Sequence, residues 1–138
     1  MLDSCTECRC PTVAWISARK AEFRNALAAF SPSVPALILG HHDADGLSSV
    51  AILSRALEQS GRLTKVRLVG RGENAWSTEI AAELRPQEIG GLIVADLGTR
   101  SEPLLPDVPT VLLDHHVPTG IPQTALLVSG HGLDPTAI

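Results

Sequence analysis

Between Leu37 and Ser49 the chain runs through an apolar triplet, Leu37-Ile38-Leu39, then Gly40-His41-His42-Asp43-Ala44-Asp45, and then a helical pattern that opens at Gly46. An apolar triplet of this kind suits a strand buried on both faces of a parallel sheet. Two histidines and two aspartates fall within the five positions from His41 to Asp45. Metal ligands and carboxylates are therefore massed where a strand hands over to a helix, which in an open α/β sheet is the carboxyl edge where ligands bind. Two later stretches follow the same pattern: Leu92-Ile93-Val94-Ala95 leads into Asp96-Leu97-Gly98, and Val111-Leu112-Leu113 leads into Asp114-His115-His116.

The remaining elements fit around these strands. Phe23, Ala26, Leu27 and Phe30 recur at helical spacing, which predicts a helix from Ser17, with Ser17 as its cap, to Phe30, ended by Ser31-Pro32-Ser33-Val34-Pro35. Strand one is expected at Ala36 to Gly40. A helix is expected from Gly46 to Ser60, with Leu47, Val50, Ala51, Leu53 and Leu57 facing inward and Gly61 as the stop. Thr64 to Val69 reads as strand two. Ser77 caps a short helix through Leu84, ended by Pro86. Leu92 to Ala95 and Thr110 to Leu113 are strands three and four, and Ala125 to Val128 is a candidate fifth. Alternating strands and helices describe an α/β fold, an open parallel sheet of four to five strands in three layers. Ligands at the ends of strands one, three and four can share a site only if those strands are neighbours, which gives the order 2-1-3-4.

Length and composition bound the function. At 138 residues the chain makes one domain, with residues 1–12 irregular and 13–138 forming the α/β domain. Net charge is −4 and no basic run appears, which argues against a long nucleic-acid groove. Aromatic residues are 3% with no Tyr, so a stacking platform for single-stranded bases is missing. No apolar run reaches the ~20 residues that span a bilayer, and the amino terminus lacks the regions of a signal peptide. The expected setting is cytoplasmic, without membrane attachment. Cys5, Cys8 and Cys10 have thiolate spacing that can hold zinc, but a closed site needs a fourth ligand. Reduced thiols on a frayed terminus are the plainer reading.

Taken in order, the three motifs resemble those of the DHH phosphoesterase superfamily, which includes RecJ-type exonucleases, oligoribonucleases and family II inorganic pyrophosphatases. His41-His42-Asp43-Ala44-Asp45-Gly46 is similar to the first motif, Asp96-Leu97-Gly98 to the second and Asp114-His115-His116 to the third, over roughly residues 36 to 120. The resemblance implies a two-ion site: His41 and Asp43 on the first ion, Asp45 and His115 on the second, and Asp96 bridging them. It implies that His116 faces the scissile phosphate, that Asp114 orients His115 from behind, and that His42 stays outside the ligand set. Mixed imidazole and carboxylate donors suit Mn2+, with Mg2+ or another divalent ion left open.

Each residue also has an ordinary reading on its own. Asp45 can be a helix cap, Asp96 a turn residue, and His41 and His42 a solvated loop pair. Ser48 and Ser49 on the first helical turn can help bind phosphate or simply lie exposed. The family carries a fourth motif and an accessory domain beyond the third motif. Here Asp134 is the only aspartate after Asp114, and its setting, Gly132-Leu133-Asp134-Pro135, does not match that motif. The resemblance therefore implies a second ion short of one ligand and no accessory domain.

The expected activity is divalent-metal-dependent hydrolysis of a phosphodiester or phosphoanhydride in a nucleotide or short nucleic acid. The alternatives are a non-catalytic metal-binding protein, either a fragment or a subunit completed by another chain, and a nucleotide-binding module. The absence of Gly-x-Gly-x-x-Gly after strand one counts against the last.

Overall fold

The computed structural model describes residues 11–132. Five strands form one parallel sheet: β1 (Ala36–His41), β2 (Thr64–Val69), β3 (Gly91–Ala95), β4 (Thr110–Asp114) and β5 (Ala125–Ser129). Their order is β2-β1-β3-β4-β5, the arrangement expected, with the fifth strand added beside β4. The helices are α1 (Pro11–Leu27), α2 (Ala44–Gln59) and α3 (Thr78–Leu84).

The side-chain alternation of the central strands builds two cores. Ala36 and Ile38 of β1, Ile93 of β3 and Val111 of β4 face one side, where Val50 and Leu57 of α2 pack with Phe23, Ala26 and Leu27 of α1. Leu37, Leu39, Leu92, Val94 and Leu112 face the other, against Ile80, Ala81 and Leu84 of α3 and against Leu104 and Leu105 from the β3–β4 connection. Ile38, Leu39, Leu92, Ile93, Val111 and Leu112 have no exposed surface. Each such side chain contributes about 1.5–3 kcal/mol relative to leaving it in water. The result is the three-layer fold expected, helix–sheet–helix, with the inner strands buried on both faces.

Three details differ from the sequence reading. The first helix begins at Pro11 rather than Ser17 and ends at Leu27, with Phe30 buried just beyond it. Proline suits the first helical turn, where its missing N–H has no partner to lose, so Ser17 lies inside the helix and caps nothing. Second, Leu47 and Ala51 are exposed, not inward. The buried stripe of α2 is Gly46, Val50 and Leu57 with Leu53 half-buried, and Leu47 and Ala51 each lie one residue, about 100°, off that stripe. Third, α2 starts at Ala44 and its cap is Asp43, whose side chain accepts the Gly46 N–H at 3.0 Å. Asp45 is thus inside the first turn. Cys5, Cys8, Cys10 and Asp134 lie outside the described residues. Among the described residues no helix is long and apolar enough to cross a membrane.

Candidate metal centre

Gly46 sets the geometry of the first motif. A Cβ at this position would sit 2.3 Å from the His41 carbonyl oxygen and 2.7 Å from both its carbonyl carbon and its Cβ. The start of α2 therefore lies directly on the end of β1, a closeness that only glycine allows. His41 and Asp43 are drawn together across this junction, with His41 Nδ1 2.7 Å from Asp43 Oδ2. The other oxygen of Asp43 is taken by the Gly46 N–H. That backbone bond, helped by His41, holds the Asp43 carboxyl below the usual carboxylate range against a smaller opposing effect of burial. His42 turns away and donates from Nδ1 to the Val69 carbonyl at the end of β2, at 3.0 Å. It stays outside the cluster.

The second motif places Asp96 just past β3 in the left-handed region, with φ of 60°. Aspartate tolerates that conformation better than most residues. The side chain is only 10% exposed. Burial pushes the Asp96 carboxyl above its ordinary value, with repulsion from Asp43 adding to the effect and His115 and His116 opposing it. A contact invisible to sequence reading pins this loop: Trp76, ahead of α3, donates its indole N–H to the Leu97 carbonyl at 3.0 Å.

The third motif closes the site. His115 Nε2 lies 3.2 Å from Asp96 Oδ1, and His116 Nδ1 lies 3.9 Å from the same oxygen. Asp114 behaves differently from expectation. Its buried carboxylate accepts the Gly98 N–H at 2.7 Å, the His116 N–H at 2.6 Å and His116 Nδ1 at 2.9 Å. Among the described residues it makes no bond to His115, so Asp114 orients His116 and ties the β3 loop to the β4 loop. The reason is geometric. The side chain of a residue at a strand end pairs with the backbone that curls past it, here the N–H two positions on.

Donor atoms of two sets lie within 4.8 Å of one another: His41, Asp43 and Asp96, and Asp96, His115 and His116. Asp96 belongs to both. Asp45 belongs to neither, although it lines the same cleft of about 630 Å3. Imidazole and carboxylate donors at this spacing could hold a divalent cation.

No family model matches the chain, and no curated protein sequence does. Among solved structures the fold matches RecJ from Thermus thermophilus, a structure in complex with Mn2+. The TM-score is 0.59 at 23% identity, over 83% of this chain and 17% of that one. It also matches CDC45 from Entamoeba histolytica, with a TM-score of 0.57 at 15% identity, over 86% of this chain and 25% of that one. The chain has a RecJ-like α/β fold, and spans a quarter or less of the length of these two proteins.

Proposed function

We propose that the chain is the metal-holding α/β domain of a DHH-type phosphoesterase that acts on a phosphodiester or phosphoanhydride of a nucleotide or short nucleic acid. The observation that carries this reading is the position of Asp96, one carboxylate shared by a His–Asp pair at the β1–α2 junction and a His–His pair just past β4. His41, Asp43 and Asp96 would hold one divalent ion, and Asp96 and His115, with Asp45 reaching in from the first turn of α2, would hold a second. When bound, such a pair polarises the attacking and leaving oxygens of a phosphoryl displacement. Manganese is the favoured ion, in keeping with the donor set and with the Mn2+ in the RecJ structure.

The chain's own residues supply the rest. Asp114 accepts the Nδ1–H of His116, which leaves His116 Nε2 as the atom that meets the substrate phosphate. There the ring, when protonated on both nitrogens, would give the Nε2 proton to a phosphate or leaving-group oxygen and keep its Nδ1–H on Asp114. The Trp76–Leu97 bond and the Gly98–Asp114 bond keep Asp96 in place between the two donor sets.

A second reading is a metal-binding subunit completed by another chain. It is favoured by the placement of Asp45 outside both donor sets. One experiment addresses both: calorimetric titration of the wild type and Asp96→Asn with MnCl2, followed by hydrolysis of bis-p-nitrophenyl phosphate. Tight Mn2+ binding lost in Asp96→Asn, with turnover in the wild type, supports the phosphoesterase. Binding without turnover supports the subunit. Equal Mn2+ affinity in both proteins refutes the two together.

A further inference from the structure

Three recesses share lining residues at the carboxyl edge of the sheet. The central cleft shares Asp45, Asp96 and His115 with a recess of about 380 Å3 beside α2, and shares Asn74 and Arg100 with one of about 390 Å3 beside α3. The donor sets thus lie between two further recesses, one on the α2 side and one on the α3 side. The two flanks differ in chemistry. The α2 flank adds the hydroxyls of Ser48 and Ser49 and the apolar Ile52. The α3 flank adds Arg100 and Arg85, with Glu102 as its one carboxylate.

Arg100 stands at the junction and is held there. Its Nη1 donates to the Thr119 hydroxyl at 2.8 Å and to the Thr99 carbonyl at 3.1 Å. Thr99 is itself buried, and its hydroxyl accepts the Thr119 N–H at 3.1 Å. Among the described residues, the arginine ion pairs are those of Arg19 and Arg67. Arg100 and Arg85 therefore keep their charge uncommitted in a chain whose net charge is −4. A guanidinium fixed through one nitrogen retains donors in the fork geometry that matches phosphate oxygens.

We propose that Arg100, with Arg85 farther along the recess, forms an anion-binding arm for the phosphate adjacent to the one at the Asp96 centre. The ligand is then a short phosphodiester chain with at least two phosphates, not a phosphomonoester. This rests on the phosphoesterase reading above and deepens it. The arm compensates for the carboxylates that surround the reacting position, which repel a polyanion wherever metal charge does not offset them. The α2 flank, with hydroxyls and an apolar side chain, takes the uncharged part of the ligand.

The test is fluorescence anisotropy of a labelled thymidine trinucleotide with phosphorothioate linkages, which resist hydrolysis, in saturating Mn2+ across a salt series, with thymidine 5′-monophosphate as competitor. Arg100→Ala and Arg85→Ala are each expected to weaken trinucleotide binding about tenfold, the worth of a charged hydrogen bond. Each should also lower the slope of log K against log salt by about 0.7. Mn2+ affinity by calorimetry stays unchanged, and Arg100→Lys recovers part of the loss. Thr119→Val, which releases Arg100 without removing its charge, gives an intermediate loss. Unchanged affinity and salt slope in both alanine variants overturns the arm, as does wild-type protein that binds the trinucleotide no better than the monophosphate. Either failure is separate from that of the metal centre, which the Mn2+ titration of Asp96→Asn reads independently.

Discussion

Gly46→Ala separates the demands of the helix from those of the site. Within a helix, alanine is favoured over glycine by about 1 kcal/mol, so propensity alone makes this substitution stabilising. The structure reverses the sign. The new Cβ lies 2.3 Å from the His41 carbonyl oxygen and 2.7 Å from two more atoms of His41, whereas real Cβ contacts essentially never fall below 3.0 Å. The nearest obstructing atoms are backbone, so no rotamer change relieves the overlap, and α2 must move off β1 by more than half an ångström. Overpacking of this kind costs about 1–3 kcal/mol, and rigid neighbours place Gly46 near the top of that range. Net of the propensity gain, we expect a loss of about 2 kcal/mol, seen as a fall in Tm on the order of 5–10 °C. The same shift pulls Asp43, the cap of α2, away from Asp96, so Mn2+ affinity falls as well. Urea denaturation and calorimetric Mn2+ titration read the two effects. Ala51→Gly, on the exposed face of the same helix, serves as control: it loses about 1 kcal/mol with no change in metal affinity. A Gly46→Ala protein as stable as the wild type, with unaltered Mn2+ binding, refutes the close-contact argument.

Three further outcomes follow from the charges and bonds of the site. Because the Asp96 carboxyl is held above its ordinary value by burial and by Asp43, its charged form opposes folding. Asp96→Asn should therefore raise the metal-free urea midpoint at pH 7, and the advantage should vanish as the pH falls below the ordinary aspartate value of 3.8, where the wild-type carboxyl is protonated in both states. Arg67 binds Glu73 and Glu83, and Glu73 also accepts the Gly70 N–H; these bonds lower Glu73 to about 2 and lower Glu83 in the same direction. Stability from this cluster is full above the ordinary glutamate value of 4.5 and is lost as the pH falls toward about 2, and Arg67→Met should flatten that part of the acid-unfolding curve. Trp76→Phe keeps an aromatic side chain but shrinks it and removes the N–H bonded to Leu97, at a cost of about 1 kcal/mol for the bond with lost packing added. Amide hydrogen exchange should speed up at residues 96–98 in that variant while β1 stays protected.

The parts of the fold that are legible in the sequence are those where burial leaves little choice. β1, β3 and β4 are apolar on both faces, so their runs announce them, and the expectation that the polar residues at their ends share one site leads to their adjacency in the sheet. The start of α1 is hidden because the apolar spacing that marks the helix begins only at Phe23, and because nothing in the pattern shows that Pro11 occupies the first helical turn, where proline is tolerated. The inward face of α2 is one residue away from Leu47 and Ala51, since the pattern alone does not reveal that Gly46 is the residue pressed on the sheet. Within the site, Asp114 neighbours both histidines in sequence, and spacing alone cannot choose between them; the curl of the chain after β4 decides for His116. The clamp of Trp76 on Leu97 and that of Thr119 on Arg100 join residues 21 and 19 positions apart, through groups that carry no motif.

Asp96 is where local preference and the site conflict, and that conflict argues for function. Its backbone is left-handed, its side chain is mostly buried, and its carboxyl lies close to Asp43 and to Asp114. Asparagine at this position would tolerate the same backbone, fill nearly the same volume and carry no charge to repel its neighbours. A chain selected for stability alone has no reason to keep aspartate here. Strain and unfavourable charge persist where the surroundings enforce them, and they gather at functional sites. The enforcement is visible: Asp96 N–H is bonded to the Leu113 carbonyl at 3.0 Å, the next residue is clamped by Trp76, and Gly98 is bonded to Asp114. Three hydrogen bonds thus hold this loop so that one carboxylate stays where its charge is unfavourable on balance, and a bound cation at the proposed site would turn that cost into affinity.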